Sequence, residues 1–177
     1  MIFFDVVNED NVLTFEFAGN IASVSVLTIP ALKRSHSRDG VSSESLARQW
    51  LCLYGVGKSQ APPVALVTSA CLAYLAWSFR EGAQLSQGMP KNTAWLYGAA
   101  ALLTLSIVPY TLILMSRTNN SLFAKAAQAL ESRHEGATIA FDGNEFSKLL
   151  NRWANYNVVR SLLPLSGAIT ALVAVLG

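Results

Sequence analysis

Arg160 is the side chain in this 177-residue chain with the clearest chemical potential. It is the only charge in the apolar stretch from Val158 to Gly177. Trp153, Asn157, Arg160, Pro164 and Gly167 follow at spacings of four, three, four and three, which places all five on one stripe of a helix. Such a stripe has little affinity for lipid and is expected to face other helices. A guanidinium there could clamp an anion, with Asn157 beside it as an amide group; the competing reading is an anchor on lipid phosphate. Two further polar groups are expected at the same depth. Arg48, Tyr54 and Lys58 come from a preceding helical segment in which Trp50, Tyr54 and Lys58 step by four. Asn119 and Asn120 stand where another apolar stretch ends, although a helix C-cap needs only one asparagine. Together with Trp153 these residues are expected to line one pocket.

Other candidates carry less. Glu16 shares a stripe with Asn20 and Ser23. A carboxylate inside an apolar span is costly and suggests function. Four residues from the span's end, however, it could snorkel, and a snorkelling or helix-packing carboxylate is the reading favoured. Helical rise would leave it more than about 15 Å from Arg160. Gly57-Lys58-Ser59 resembles the end of a phosphate-binding loop, but Cys52 stands where the motif needs glycine and a helix precedes it. His36 and His134 belong to no spaced motif, and Cys52 and Cys71 give neither a disulfide framework nor metal spacing. No metal site is expected.

The elements that must position these groups follow from composition. Hydrophobic residues make up 52% and charged residues 14%, against about 25% charged in ordinary soluble domains. The mean hydropathy is +0.36. This composition argues against a soluble globule and against disorder. A net charge of +2 is too weak for a nucleic-acid partner. A membrane-crossing helix needs roughly 20 apolar residues. Four stretches qualify, at about 12–32, 61–79, 93–115 and 158–177, within a single membrane domain spanning 1–177. The expected fold is therefore all-α, an integral membrane four-helix bundle with an amphipathic helix in the first cytosolic loop. Met1 to Asn11 contains Asp5, Glu9 and Asp10 but no Lys or Arg, so it lacks a signal peptide's basic region and is expected to remain as an extracytosolic tail.

Basic residues set the orientation. Five lie between spans one and two (Lys33, Arg34, Arg38, Arg48, Lys58). Five more lie between spans three and four (Arg117, Lys125, Arg133, Lys148, Arg152). Only Arg80 and Lys91 lie between spans two and three. Ten against two makes both long loops cytosolic and both termini extracytosolic. Phe15, Phe17, Trp77, Phe79, Trp95 and Tyr97 would then mark the opposite interface, and the Asn119-Asn120-Ser121 sequon would escape glycosylation. In the first loop, Ser35 to Gly40 reads as flexible. Ser42 or Ser43 caps an amphipathic helix running to about Tyr54, Gly55 and Gly57 weaken its end, and Pro62-Pro63 opens span two. In the other cytosolic loop a short helix covers about Ser121 to Arg133. Phe141-Asp142-Gly143 turns, and a helix from about Asn144 runs unbroken into span four.

The segments "LARQWLCLYGVGKSQAPP", "LTLSIVPYTLILMSRTNNSLF" and "RWANYNVVRSLLPLSGAITAL" resemble a family of small four-span membrane proteins that includes the anthrone oxygenases of fungal polyketide clusters. The resemblance covers roughly Gly19 to Leu176. It departs at Lys58 and Asn157, where the fungal anthrone oxygenases tend to carry histidine. It implies oxidation of an anthrone-like phenolic polyketide to a quinone by O₂, with no recognised cofactor. The acidic anthrone methylene would lose a proton to a base, and cationic and amide groups would hold the resulting oxyanion. Lys58 or Tyr54 would be that base, and Arg160, Arg48 and the asparagines the clamp. The partners implied are the small aromatic substrate, O₂ and the bilayer, with the endoplasmic reticulum as the expected membrane. The same fold could serve another proton-transfer step, such as cyclisation or isomerisation, or a non-catalytic binding module.

Overall fold

The computed structural model of the chain describes residues 2–83, 86, 90–134 and 141–176, and the side chains of all of these except 2–11 and 132–134. The helices are α1 (Ile2–Ser23), α2 (Ile29–Asp39), α3 (Ser43–Ser78), α4 (Thr93–Leu105), α5 (Ile107–Ile113), α6 (Ser116–His134) and α7 (Gly143–Leu176). A π-helical turn, Val24–Thr28, joins α1 to α2. Four helical runs are long and apolar enough to cross a membrane: Val12–Asp39, Ser43–Ser78, Thr93–Ile113 and Gly143–Leu176. The protein is an all-α, multi-pass membrane bundle.

Caps and prolines explain the element boundaries. The Ser42 hydroxyl accepts from the Ser45 N–H at 3.2 Å and starts α3. The Asp142 carboxylate accepts from the N–H groups of Asn144 and Glu145, each at 3.0 Å, and starts α7. Gly40, with φ 69°, closes α2 in the left-handed conformation that glycine adopts without steric cost. Pro109 has no N–H to give the Leu105 carbonyl, and the helical run breaks beside it at Ser106.

α7 packs along α1 on one side and α4 on the other, and α3 packs along α4. At the basic end of the bundle, α2, α6 and the first turns of α3 and α7 enclose a core of Leu46, Trp50, Met115, Leu122, Phe146, Leu150 and Trp153. At the far end Leu72, Leu75, Phe79, Tyr97, Ala100, Ala171 and Ala174 form a second core. A smaller cluster of Phe17, Ile21, Ala65 and Ile107 lies between the two.

The long expected helix of span four is present, and its stripe faces inward: Trp153, Asn157, Pro164 and Gly167 are all buried. Several boundaries differ from the sequence reading. The amphipathic segment from Ser43 to Tyr54 is not separate, because α3 runs continuously through Gly55, Gly57, Pro62 and Pro63. Ser35 to Asp39 is helical rather than flexible. Span three is two helices rather than one. Asn119 and Asn120 lie in the first turns of α6 instead of ending that span. Phe17 packs beside Ile107, ten residues or about 15 Å of helix from Tyr97, so it does not share the far-end aromatic layer. That layer holds Phe79 stacked on Tyr97 at 5.6 Å, with Trp77 and Trp95 exposed.

Candidate active site

A cavity of about 510 Å³ is walled by α1, α3, α5 and α7. The volume falls in the range of small-molecule pockets. A proline or a π turn stands on each wall or within a turn of it. The π turn beginning at Val24 lies on the first wall, Pro62 on the second, and the segment around Pro109 on the third. On the fourth, Pro164 has no N–H for the Arg160 carbonyl one turn before it. Most of the lining is apolar, with polar groups placed singly, the usual character of a pocket that orients a largely hydrophobic ligand.

Arg160 projects from α7 and is largely enclosed. Its Nη1 donates to the Thr111 hydroxyl of α5 at 3.4 Å, and Tyr54 and Tyr110 are near enough to act on its charge. Its buried Nε–H has no hydrogen-bond partner. One turn away, the Asn157 amide donates to the Ile21 carbonyl and to the Ser25 hydroxyl, both at 2.8 Å. This ties α7 to α1 at the π turn and leaves the Asn157 Oδ1 unpartnered. Trp153 Nε1 is also buried and unpartnered. Three orphaned polar atoms thus belong to successive lining residues of one helix. Such groups cost about 1–3 kcal/mol each when left unpaired, and all three are shut away behind the cavity wall rather than open to it.

The floor is aromatic and fixed. Trp50 lies edge-on to Trp153, with ring centroids 6.0 Å apart, and Tyr54 meets Phe123 edge-on at 4.9 Å. Tyr54, half buried, is held by this cluster while lining the cavity, and Lys58 one turn on lines it from an exposed position.

Of the residues singled out from the sequence, Tyr54, Lys58, Trp153, Asn157 and Arg160 line this cavity, and Arg48, Asn119 and Asn120 do not. Arg48 donates to the Ser45 hydroxyl on its own helix. Asn119 is buried in α6 and Asn120 is exposed. Among the described residues no three of His, Cys, Asp and Glu come together as metal ligands; the His134 side chain lies outside them. Gly57-Lys58-Ser59 sits within α3, with no loop to cradle a phosphate.

The sequence reading missed Thr111 and placed Glu16 and Asn20 elsewhere, although all three line the cavity. Thr111 was legible only as part of Val108-Pro109-Tyr110-Thr111. Glu16 was set too near the far end. Asn157 lies level with the interval from Ile21 to Ser25. Counting along these antiparallel helices puts Glu16 about 6 Å from Arg160 along the bundle axis, roughly one turn. The expected separation of more than about 15 Å along the axis does not hold.

The fold and cavity define a multi-pass membrane protein with a ligand-sized, largely apolar pocket and one enclosed cation. The chain belongs to the anthrone oxygenase family, matching that family over residues 50–170. It is 36% identical over 165 residues to an anthrone oxygenase of Aspergillus fumigatus, covering 90% of this chain and 86% of that one. It is 32% identical over 167 residues to the noranthrone monooxygenase of Aspergillus flavus, covering 94% and 71%. It is 33% identical over 153 residues to an anthrone oxygenase of Claviceps purpurea, covering 86% and 78%. No solved structure matches the chain.

Proposed function

We propose that this protein is a membrane oxygenase that converts an anthrone-like phenolic polyketide to the corresponding quinone with O₂. The family supports the reaction type, and the cavity supports the role of its residues. The observation that carries the reading is Arg160, a guanidinium lining an otherwise mostly apolar cavity with its Nη1 held by the Thr111 hydroxyl.

An anthrone methylene is acidic because loss of its proton gives an aromatic phenolate. A donor fixed where that negative charge develops lowers the barrier, and does so more effectively away from bulk water. In this reading Arg160 holds the phenolate oxygen through its planar fork, and Thr111 keeps the guanidinium in place. Trp153 and Tyr54 flank the flat rings, and Tyr54 and Lys58 serve proton transfer. Asn157 holds α7 in register with α1 beside the clamp. The carbanion supplies the electrons for O₂, so that one anthrone and one O₂ give one quinone and one water. Access from the bilayer suits a substrate of this hydrophobicity. The endoplasmic reticulum, with both termini extracytosolic, is the membrane and orientation proposed, supported by the basic residues gathered at one end of the bundle.

The test is to incubate purified protein in detergent or nanodiscs with a hydroxylated anthrone, following O₂ uptake and quinone absorbance together. Uptake and quinone formation in equal amounts, above the spontaneous rate, are expected. Rates equal to those of protein-free membranes would refute the reading.

A further inference from the structure

We propose that Glu16 is the proton acceptor of this site, the group that removes the methylene proton of the substrate. The proposal rests on the anthrone-oxidising reading and assigns a step within it. Among the described residues lining the cavity, Glu16 is the only carboxylate. The other ionisable side chains there are Lys58, Arg160 and Tyr54. As residue types these ordinarily carry their protons at neutral pH, whereas a carboxylate stands ready to accept one. A base must reach the proton it takes while the clamp holds the charge left behind. Glu16 and Arg160 satisfy this from opposite helices. They belong to one cavity and lie about one turn apart along the bundle axis, by the register that Asn157 sets on α1.

The surroundings of Glu16 argue the same way. It lies within the apolar span Val12–Asp39 with Phe17 buried beside it. It is exposed and in no ion pair among the described residues. A carboxylate that packed helices together would be buried against a partner. Its place in the cavity lining, not its exposure, sets it apart from a carboxylate that merely snorkels.

The step balances as follows. The Glu16 carboxylate takes one methylene proton and becomes the neutral acid. The C–H electron pair stays on the substrate, which becomes the phenolate held by Arg160. O₂ accepts electrons from the ring carbon as a C–O bond forms, and the Glu16 acid returns its proton to the peroxide, giving a hydroperoxide and the free carboxylate. Glu16 then takes the second methylene proton as the O–O bond breaks and passes it to the departing hydroxide, so that water leaves, the carbonyl forms and Glu16 ends as the carboxylate.

Proton removal can be read without O₂. Under anaerobic conditions in D₂O, the wild-type protein should exchange deuterium into the methylene of a hydroxylated anthrone faster than buffer does. Glu16→Gln should lower that exchange and aerobic turnover together by about 10²-fold or more, while quenching of tryptophan fluorescence by the anthraquinone product changes little. Glu16→Asp should recover part of the rate, and added formate should partly rescue Glu16→Ala. Wild-type exchange in Glu16→Gln would overturn the assignment and leave the oxygenase reading intact. Loss of product binding in Glu16→Gln with no formate rescue would make Glu16 structural, which also overturns it. If wild-type protein neither exchanges nor oxidises the anthrone, the reading itself fails and the proposal falls with it.

Discussion

The side-chain amide of Asn157 on α7 lies 2.8 Å from the carbonyl oxygen of Ile21 on α1, just before α1 loosens into its π turn. The same amide reaches Ser25 within that turn, so one side chain sets the register of two spans and shapes one wall of the cavity. Asn157→Leu removes both bonds and leaves the Ile21 acceptor and Ser25 hydroxyl without this donor. A loss of about 1–2 kcal/mol is expected, the upper range for interhelical hydrogen bonds in membranes. The apparent melting temperature in detergent should fall by several degrees. An unchanged melting temperature would show that the register is held elsewhere.

Close packing of α7 on α4 depends on Gly167. A Cβ there would lie 2.6 Å from the Thr104 Oγ1 and 3.0 Å from the Ala100 carbonyl oxygen, and backbone cannot yield as a flexible side chain can. Gly167→Leu should therefore abolish or severely reduce folded protein in detergent. Gly98→Ala, where a Cβ meets nothing within 4 Å, should be tolerated. Fluorescence size-exclusion profiles of the two variants would make the comparison, and equal monodisperse yields would contradict it.

The orientation proposed rests on the basic residues at one end. In a background with Cys52 and Cys71 replaced, Arg38→Cys and Glu81→Cys should label from opposite sides of sealed vesicles. Arg38→Cys should label from the cytosolic side and Glu81→Cys from the lumenal side. Labelling of both from one side would reverse the account of the topology.

Composition alone made the four spans legible, because a charge-poor run of about 20 residues has few alternatives. The inward stripe of α7 was legible for a similar reason, since arginine, asparagine and proline at helical spacing cannot face lipid cheaply. Boundaries fared worse. Gly55, Gly57 and Pro62-Pro63 signal a break locally, yet α3 passes through all of them along an exposed stretch. Asn119 and Asn120 look like a helix end because asparagine favours caps, but the chain has already turned at Leu114 and Met115. Counting Glu16 from the start of the first span at Val12 placed it without reference to the helix opposite. The helical run continues to Asp39, and only the contact with Asn157 fixes where Glu16 sits. Pairings between distant segments, such as Arg160 with Thr111, depend on how the helices meet and leave no local trace.

The central claim is that Arg160 clamps the phenolate of the substrate, and the most direct measurement is the turnover of Arg160→Lys in purified, folded protein. Lysine keeps the positive charge but loses the planar fork that can pair with Thr111 and the substrate oxygen at once. Quinone formation should fall by about 10²-fold, the scale of losing one oxyanion donor, with expression and melting temperature near wild type. An anchor on lipid phosphate would accept lysine almost as well as arginine. Wild-type turnover in Arg160→Lys would therefore contradict the account at its centre.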